Sequence, residues 1–219
     1  MDPTRRRFLA AGAAAGIATT AGCSGQTEFE AAGAPLSQAT QDDTGFTEFR
    51  TETTTITREY EVFGIGRTVE VRNTISEYDR AVEILDSRLQ AAVFTTLSTP
   101  QVRILTRTFN PIEDMTAVEI AEMIQERYDE IEDVTEEDSF GVSVAGQETT
   151  VTRFRTRARL IEGDATIEIY LYISEAVERG EDFVVTLTIH PQPGPLGLLF
   201  DTEDIDETVR TLTDGVDPA

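Results

Sequence analysis

Apolar positions along the chain follow two periods. From Phe46 the chain alternates, with Ile56, Tyr60 and Val62, then Val69, Val71 and Ile75, around a turn at Gly64-Ile65-Gly66. A period of two predicts strands. Leu89 to Leu97 reads as a buried strand, ended by Pro100. Val102 and Ile104 begin a shorter one that stops before Asn110-Pro111, where the residue preceding proline is restricted. Residues 77–87 satisfy both periods: Tyr78, Ala81, Val82 and Leu85 share a helical face, yet the segment equally continues the strand. Phe140, Val142 and Val144 alternate up to a turn at Gly146, and residues 148–190 read as a meander of three long antiparallel strands.

The period of 3.6 is rarer. Pro35 to Asp43 predicts a short helix, with Leu36, Ala39 and Thr40 on one face and Gly45 as its C-terminal cap. Thr116 and Glu119 make a capping box before a stripe of Ile120, Ile124, Tyr128 and Ile131. Ile205, Val209 and Leu212 form a second stripe, closed by Gly215. The order is mainly strands, a helix, a meander, then a helix. It predicts an α+β fold: a twisted antiparallel sheet with a long middle helix and a short C-terminal helix packed on it.

One strand of the meander is unusual. In Thr152-Arg153-Phe154-Arg155-Thr156-Arg157-Ala158-Arg159-Leu160 the four Arg alternate with Phe154, Ala158 and Leu160, so a strand sorts them onto opposite faces. A tight turn at Glu162-Gly163 sets Leu160 against Ala165, Ala158 against Ile167 and Phe154 against Leu171. On the other face Arg157 meets Glu168, Arg155 meets Tyr170 and Arg153 meets Tyr172. Both faces are chemically consistent, which favours this register over a one-residue slip. Arg153, Arg155, Arg157 and Arg159 are thus a candidate anion strip, or a structural face of cross-strand pairs each worth about 0.2–1 kcal/mol. The structural alternative is preferred.

The N-terminus reads as an address. Arg5, Arg6, Phe8 and Leu9 stand in Thr4-Arg5-Arg6-Arg7-Phe8-Leu9, the pattern of a twin-arginine export signal, followed by a Gly/Ala-rich stretch. The stretch ends in Thr20-Ala21-Gly22-Cys23, which resembles a lipobox, although Thr20 stands where Leu is usual. Cys23, the single cysteine, is the expected lipidation site, and no intramolecular disulfide is possible. The expected organisation is a signal peptide over 1–22, a lipid-attached tether with a short helix over 23–45, and one domain over 46–216.

Composition adds the setting. The 41 acids face 18 basic residues, all of them Arg, for a net charge of −23. Loss of residues 1–22 removes Asp2, Arg5, Arg6 and Arg7, which leaves −25. Such a surface repels phosphate backbones, so no nucleic-acid partner is expected. The absence of Lys with an excess of acids is similar to proteins of salt-loving archaea. At 1 M salt the Debye length is about 3 Å, and such a surface no longer repels itself.

From Phe46 to Val216 the chain resembles a family of uncharacterised lipoproteins of halophilic archaea. The residues that carry the resemblance are the signal, Ser98-Thr99-Pro100-Gln101-Val102, Thr108-Phe109-Asn110-Pro111 and Asp182-Phe183-Val184-Val185. The element order also resembles the PsbP-like fold. Neither likeness brings catalytic residues with it.

Candidate chemistry is sparse. His190 is the single His and falls on the side of its strand that carries Thr186 and Thr188, where a pairing or solvated role at a strand end is expected. No metal site or cofactor is expected, because zinc sites draw on several His and Cys ligands. The acidic runs Asp133–Asp138 and Asp201–Asp206 lack the pattern of a calcium loop and read as helix-end and surface residues. The apolar loop Pro193–Phe200 reads as folding under the next helix. The expected function is a non-enzymatic binding or envelope-assembly module at the outer face of the cytoplasmic membrane. Its partners are the membrane, through lipid on Cys23, and an unknown extracytoplasmic partner or ligand. The alternative is an extracellular hydrolase using a serine and His190.

Overall fold

In the computed structural model the described residues are 26–62, 65–84, 87–104, 107–109, 112, 115–127, 131–159, 166–193 and 204–218. Among them, nine strands join one mixed sheet: β1 (Gln26–Glu30), β2 (Thr47–Val62), β3 (Ile65–Ile84), β4 (Ser87–Pro100), β7 (Ile131–Val144), β8 (Gln147–Arg159), β9 (Thr166–Ser174), β10 (Val177–Arg179) and β11 (Asp182–Pro191). β5 (Val102–Ile104) and β6 (Arg107–Phe109) form a separate two-stranded ladder. The helices are α1 (Gln38–Thr44), α2 (Ala117–Arg127) and α3 (Ile205–Asp214).

The main strand order is β1-β3-β4-β11-β9-β8-β7. β1 meets β3 over Thr68–Arg72 and β4 meets it from Thr74 onward, so these two share one edge of β3 end to end. β2 lies along the other edge, from Ile65 to Asp79.

Local chemistry explains the punctuation. Ser37 accepts a hydrogen bond from the Thr40 N–H at the start of α1, and Gly45 ends it at φ 72°, a left-handed conformation that suits glycine. The capping box forms as predicted: the Thr116 N–H donates to Glu119 at 2.8 Å and the Glu119 N–H donates back to Thr116 Oγ1 at 3.3 Å. Ala145 and Gly146 both take positive φ, 50° and 77°. That is the two-residue turn whose twist matches the flanking strands β7 and β8.

The central strands are buried on both faces. Tyr78, Phe94, Tyr172 and Val184 pack beneath Ile205, Val209 and Leu212 of α3. Their neighbours along the strands, Phe154, Leu171, Ile173 and Val185, point the opposite way and pack on Ala117, Ile120 and Ala121 of α2. α2 and α3 therefore cover opposite faces.

The α+β expectation is overturned. The protein is mostly β, its sheet is mixed because β1 runs parallel to β3, and no long middle helix exists among the described residues. The helical stripe was read too far. Ile120 and Ile124 lie in α2, Tyr128 falls outside the described residues, and Ile131 already begins β7. The acidic run Asp133–Asp138 is not a helix end but part of β7, paired with β8 where four Arg supply opposite charge. Residues 77–84 are strand, and Ile65 and Gly66 belong to β3 rather than to a turn. Of the expected tether, residues 26–44 are built into the fold as β1, an extended segment and α1.

Candidate functional site

The extended segment Ala31–Leu36, here called the strap, leads from β1 to α1 and is gripped through its main chain. The Ala31 N–H donates to the Arg72 carbonyl, continuing the line of β1. Thr74 Oγ1 donates to the Ala31 carbonyl, the Ala32 N–H donates to Asp182 Oδ2, and Arg179 donates to the Gly33 carbonyl at 3.1 Å. Thr96 Oγ1 donates to the Ala34 carbonyl, and the Leu36 N–H donates to the Tyr78 hydroxyl. Side chains of β3, β4, β10 and β11 thus converge on one segment. Small residues permit this approach: Ala31 and Ala34 are buried, and a Cβ on Gly33 would stand 3.3 Å from Thr74 Cγ2. On its outer side the strap meets the C-terminal tail. Leu36 bridges Val216, the Asp217 N–H donates to the Pro35 carbonyl, and Arg179 also donates to the Asp217 carbonyl. Burial raises the Asp182 carboxyl above its usual range, against the Ala32 N–H bond that lowers it.

The arginine strand adopts the predicted register, with Arg157 opposite Glu168, Arg155 opposite Tyr170, Arg153 opposite Tyr172 and Phe154 opposite Leu171. The turn at Glu162-Gly163 and the Leu160–Ala165 pair lie outside the described residues. Three of the four Arg have ion pairs that lead away from β9. Arg153 donates to both oxygens of Asp206 in α3 at 3.1 and 3.0 Å and lies 5.3 Å from the Tyr170 ring centre. Its Nε reaches Glu137 at 3.5 Å, and Arg155 reaches the same carboxylate at 3.4 Å. Arg157 pairs with Glu132 and Asp133 of β7, not with Glu168 as the register alone suggested. Arg159 sits on the same exposed side of β8. Tyr172 also donates to Asp206, at 2.8 Å, and burial together with that carboxylate pushes the phenol far above its usual pKa. The strip therefore ties β7, β8 and α3 together. Its charges are largely compensated within the fold.

His190 is 3% exposed, more deeply buried than the expected solvated strand end, and its Nδ1–H donates to the Pro191 carbonyl at 2.8 Å. The register sets Tyr170 opposite it. Ser174, on the same face of β9, is four residues further on, about 13 Å at 3.3 Å per residue, well beyond hydrogen-bond reach. Burial pushes the imidazole pKa down, with the Arg80 charge acting in the same direction. A depressed folded-state pKa contributes stability that is present above the unfolded value, about 6.5, and is lost as pH falls through the folded one. Urea midpoints at fixed molar salt should therefore drop between pH 7.5 and 5 more steeply for the parent than for His190→Gln. Parallel profiles would refute this.

An open groove of about 580 Å³ runs between α1, α3 and β7, lined among others by Thr40, Val142, Glu207, Arg210 and Asp214. Arg210 is engaged there, over the Phe140 ring at 4.2 Å and bonded to the Gly141 carbonyl. Arg5, Arg6, Phe8, Leu9 and Cys23 lie outside the described residues, as does most of the apolar loop, residues 194–200. The strap, and Asp206 as the partner of Arg153 and Tyr172, were not legible in the sequence. A signal was present in Thr74, Ser76, Thr96 and Ser98, a polar row on strands whose burial otherwise called for apolar residues.

A two-sided, mixed β-sheet domain closed by its own N-terminal strap is the class these features define. The chain belongs to the family described as Domain of unknown function (DUF6517), whose profile matches residues 33–217. The match starts inside the strap and runs past α3, so it includes both sides of the contact between strap and tail. A comparison with curated proteins finds no match.

Proposed function

We propose that this is an exported protein of a halophilic archaeon, held by lipid on Cys23 at the outer face of the cytoplasmic membrane. Its β domain serves there as a non-enzymatic binding or envelope-assembly module. The observation that carries this reading is the way the chain enters the fold. Gln26, the third residue after Cys23, already pairs with Thr68, and the strap that follows is gripped by four strands. An anchor at Cys23 would hold the sheet itself close to the membrane rather than on a long leash. The twin-arginine pattern before Cys23 and the charge of −23 without Lys support export from a salty cytoplasm. The acidic exterior suits neutral or cationic partners and repels nucleic acid.

Replacing Arg5 and Arg6 together by Lys should leave precursor inside the cell. Cys23→Ser should shed the protein into the medium or block its processing. Processed, membrane-bound protein at parental levels in both variants would sink the proposal.

A further inference from the structure

We propose that the free end of the β2–β3 ribbon is the part of the fold that meets the lipid surface, so that the sheet stands on the membrane ribbon end down. This rests on the lipid anchor at Cys23 proposed above and adds which end of the sheet that anchor holds.

The placement follows from strand direction. β1 runs parallel to β3, with Gln26 opposite Thr68 and Glu30 opposite Arg72. The chain therefore enters the sheet near the ribbon end and climbs toward the body, where the strap fixes it. Cys23 is three residues before Gln26, a reach of at most about 11 Å. The last ribbon pair, Val62 with Ile65, lies three residues beyond Thr68 on the same side, about 10 Å further along the strand. That reach brings the level of Val62 and Ile65 within range of a lipid on Cys23. The opposite end of the sheet is out of reach. Ile173 of β9 is level with Leu187, Thr95 and Glu77 across the ladders, and Thr166 lies seven residues past it. From Ile65 to Thr166 is therefore about 60 Å along the strand direction.

Composition points the same way. On the edge of β3 that β1 and β4 share, β4 pairs only from Thr74 onward and β1 only from Thr68, so the Val62–Ile65 pair lies past both. Thr47–Thr55 of β2 are solvent-exposed and consist of Thr, Glu, Arg and one Phe, whereas the ribbon closes on Val62 and Ile65. Residues 58–67 carry two Arg and two Glu in a chain of net charge −23. The ribbon end is consequently net neutral in a strongly acidic chain, which lowers its repulsion from an anionic lipid surface.

A photo-crosslinking residue at position 65 or, in a second protein, at 166 tests this in the full chain, produced in its own cells and irradiated in native membranes at molar salt. Mass analysis of the peptide containing Cys23 reads the lipid anchor separately. Lipidated Cys23, a lipid adduct from position 65 and at least tenfold less from 166 are expected. The same probe at Arg67 gives the reading if the position-65 variant does not fold. Lipidated Cys23 with no lipid adduct at the ribbon end, with comparable adducts at 166, or with protein adducts in place of lipid, overturns the ribbon-end assignment and leaves the anchor standing. An unmodified Cys23 overturns both.

Discussion

Phe154→Ala should cost about 3–5 kcal/mol, whereas Arg157→Ala, three residues along the same strand, should cost no more than about 1 kcal/mol. Phe154 is 2% exposed and packs with Leu171, Ile173 and Val185 against Ala117, Ile120 and Ala121 of α2. Truncation to Ala removes the ring and leaves a cavity, and two constraints keep the neighbours from closing it. Leu171 is fixed opposite Phe154 in the ladder, and α2 has its start held by the Thr116–Glu119 capping box. Arg157 faces the other way. Its side chain is 47% exposed and its partners Glu132 and Asp133 are more exposed still or equally so, so solvent screening leaves little to lose. Urea unfolding of both variants at one fixed molar salt concentration measures the contrast. Losses of similar size, or a loss below about 1 kcal/mol for Phe154→Ala, would refute the assignment of the two faces.

That contrast marks what could be read from the residues alone. The β8–β9 register was legible because alternation sorts Arg from Phe and Ala on one strand and Glu and Tyr from Ile and Leu on the other. A slip by one residue puts charge in the core. The helix after Met115 was legible at its start, where the capping box is a local interaction, and illegible at its end. Ile131 continues the helical spacing of Ile120 and Ile124, and only the Arg of β8, distant in sequence, make an acidic strand preferable to a longer acidic helix. Residues 77–84 had the same ambiguity, which pairing with β4 throughout and with β2 as far as Asp79 resolves in favour of a strand. The strap was least legible. Ala-Ala-Gly-Ala-Pro has the composition of a linker, and what orders it is a set of hydroxyls, a carboxylate and a guanidinium supplied by strands 42 to 150 residues away, such as Thr74 and Asp182. For the ion pairs, register named neighbours but not partners. Arg157 lies between Glu168 on one side and Glu132 on the other, and side-chain geometry selects β7.

Gly215→Ala should destabilise the fold by about 3 kcal/mol, although helix propensity argues for the reverse. Gly215 has φ −78°, an ordinary helical value, and its N–H caps α3 on the Thr211 carbonyl. With no backbone strain to relieve, Ala in place of Gly at such a position favours the helix by up to about 1 kcal/mol. The opposing effect is contact. A Cβ at 215 would stand 2.6 Å from Thr40 Cβ and 2.5 Å from its Cγ2, with Oγ1 closer still. Relief requires α1 and α3 to separate, and the same few residues hold the strap to the tail: Ser37 N–H donates to the Gly215 carbonyl, and Leu36 bridges Val216. Overpacking of this kind costs about 1–3 kcal/mol or more, which exceeds the propensity gain and sets the sign. The three nearest atoms all belong to the Thr40 side chain, so a second substitution there tests the clash. Thr40→Gly in the Gly215→Ala background should restore most of the loss, while Thr40→Ala, which keeps the Cβ, should restore less. Both are read from urea midpoints at molar salt. A Gly215→Ala protein as stable as the parent would show that strap, α1 and tail do not close on one another at this point.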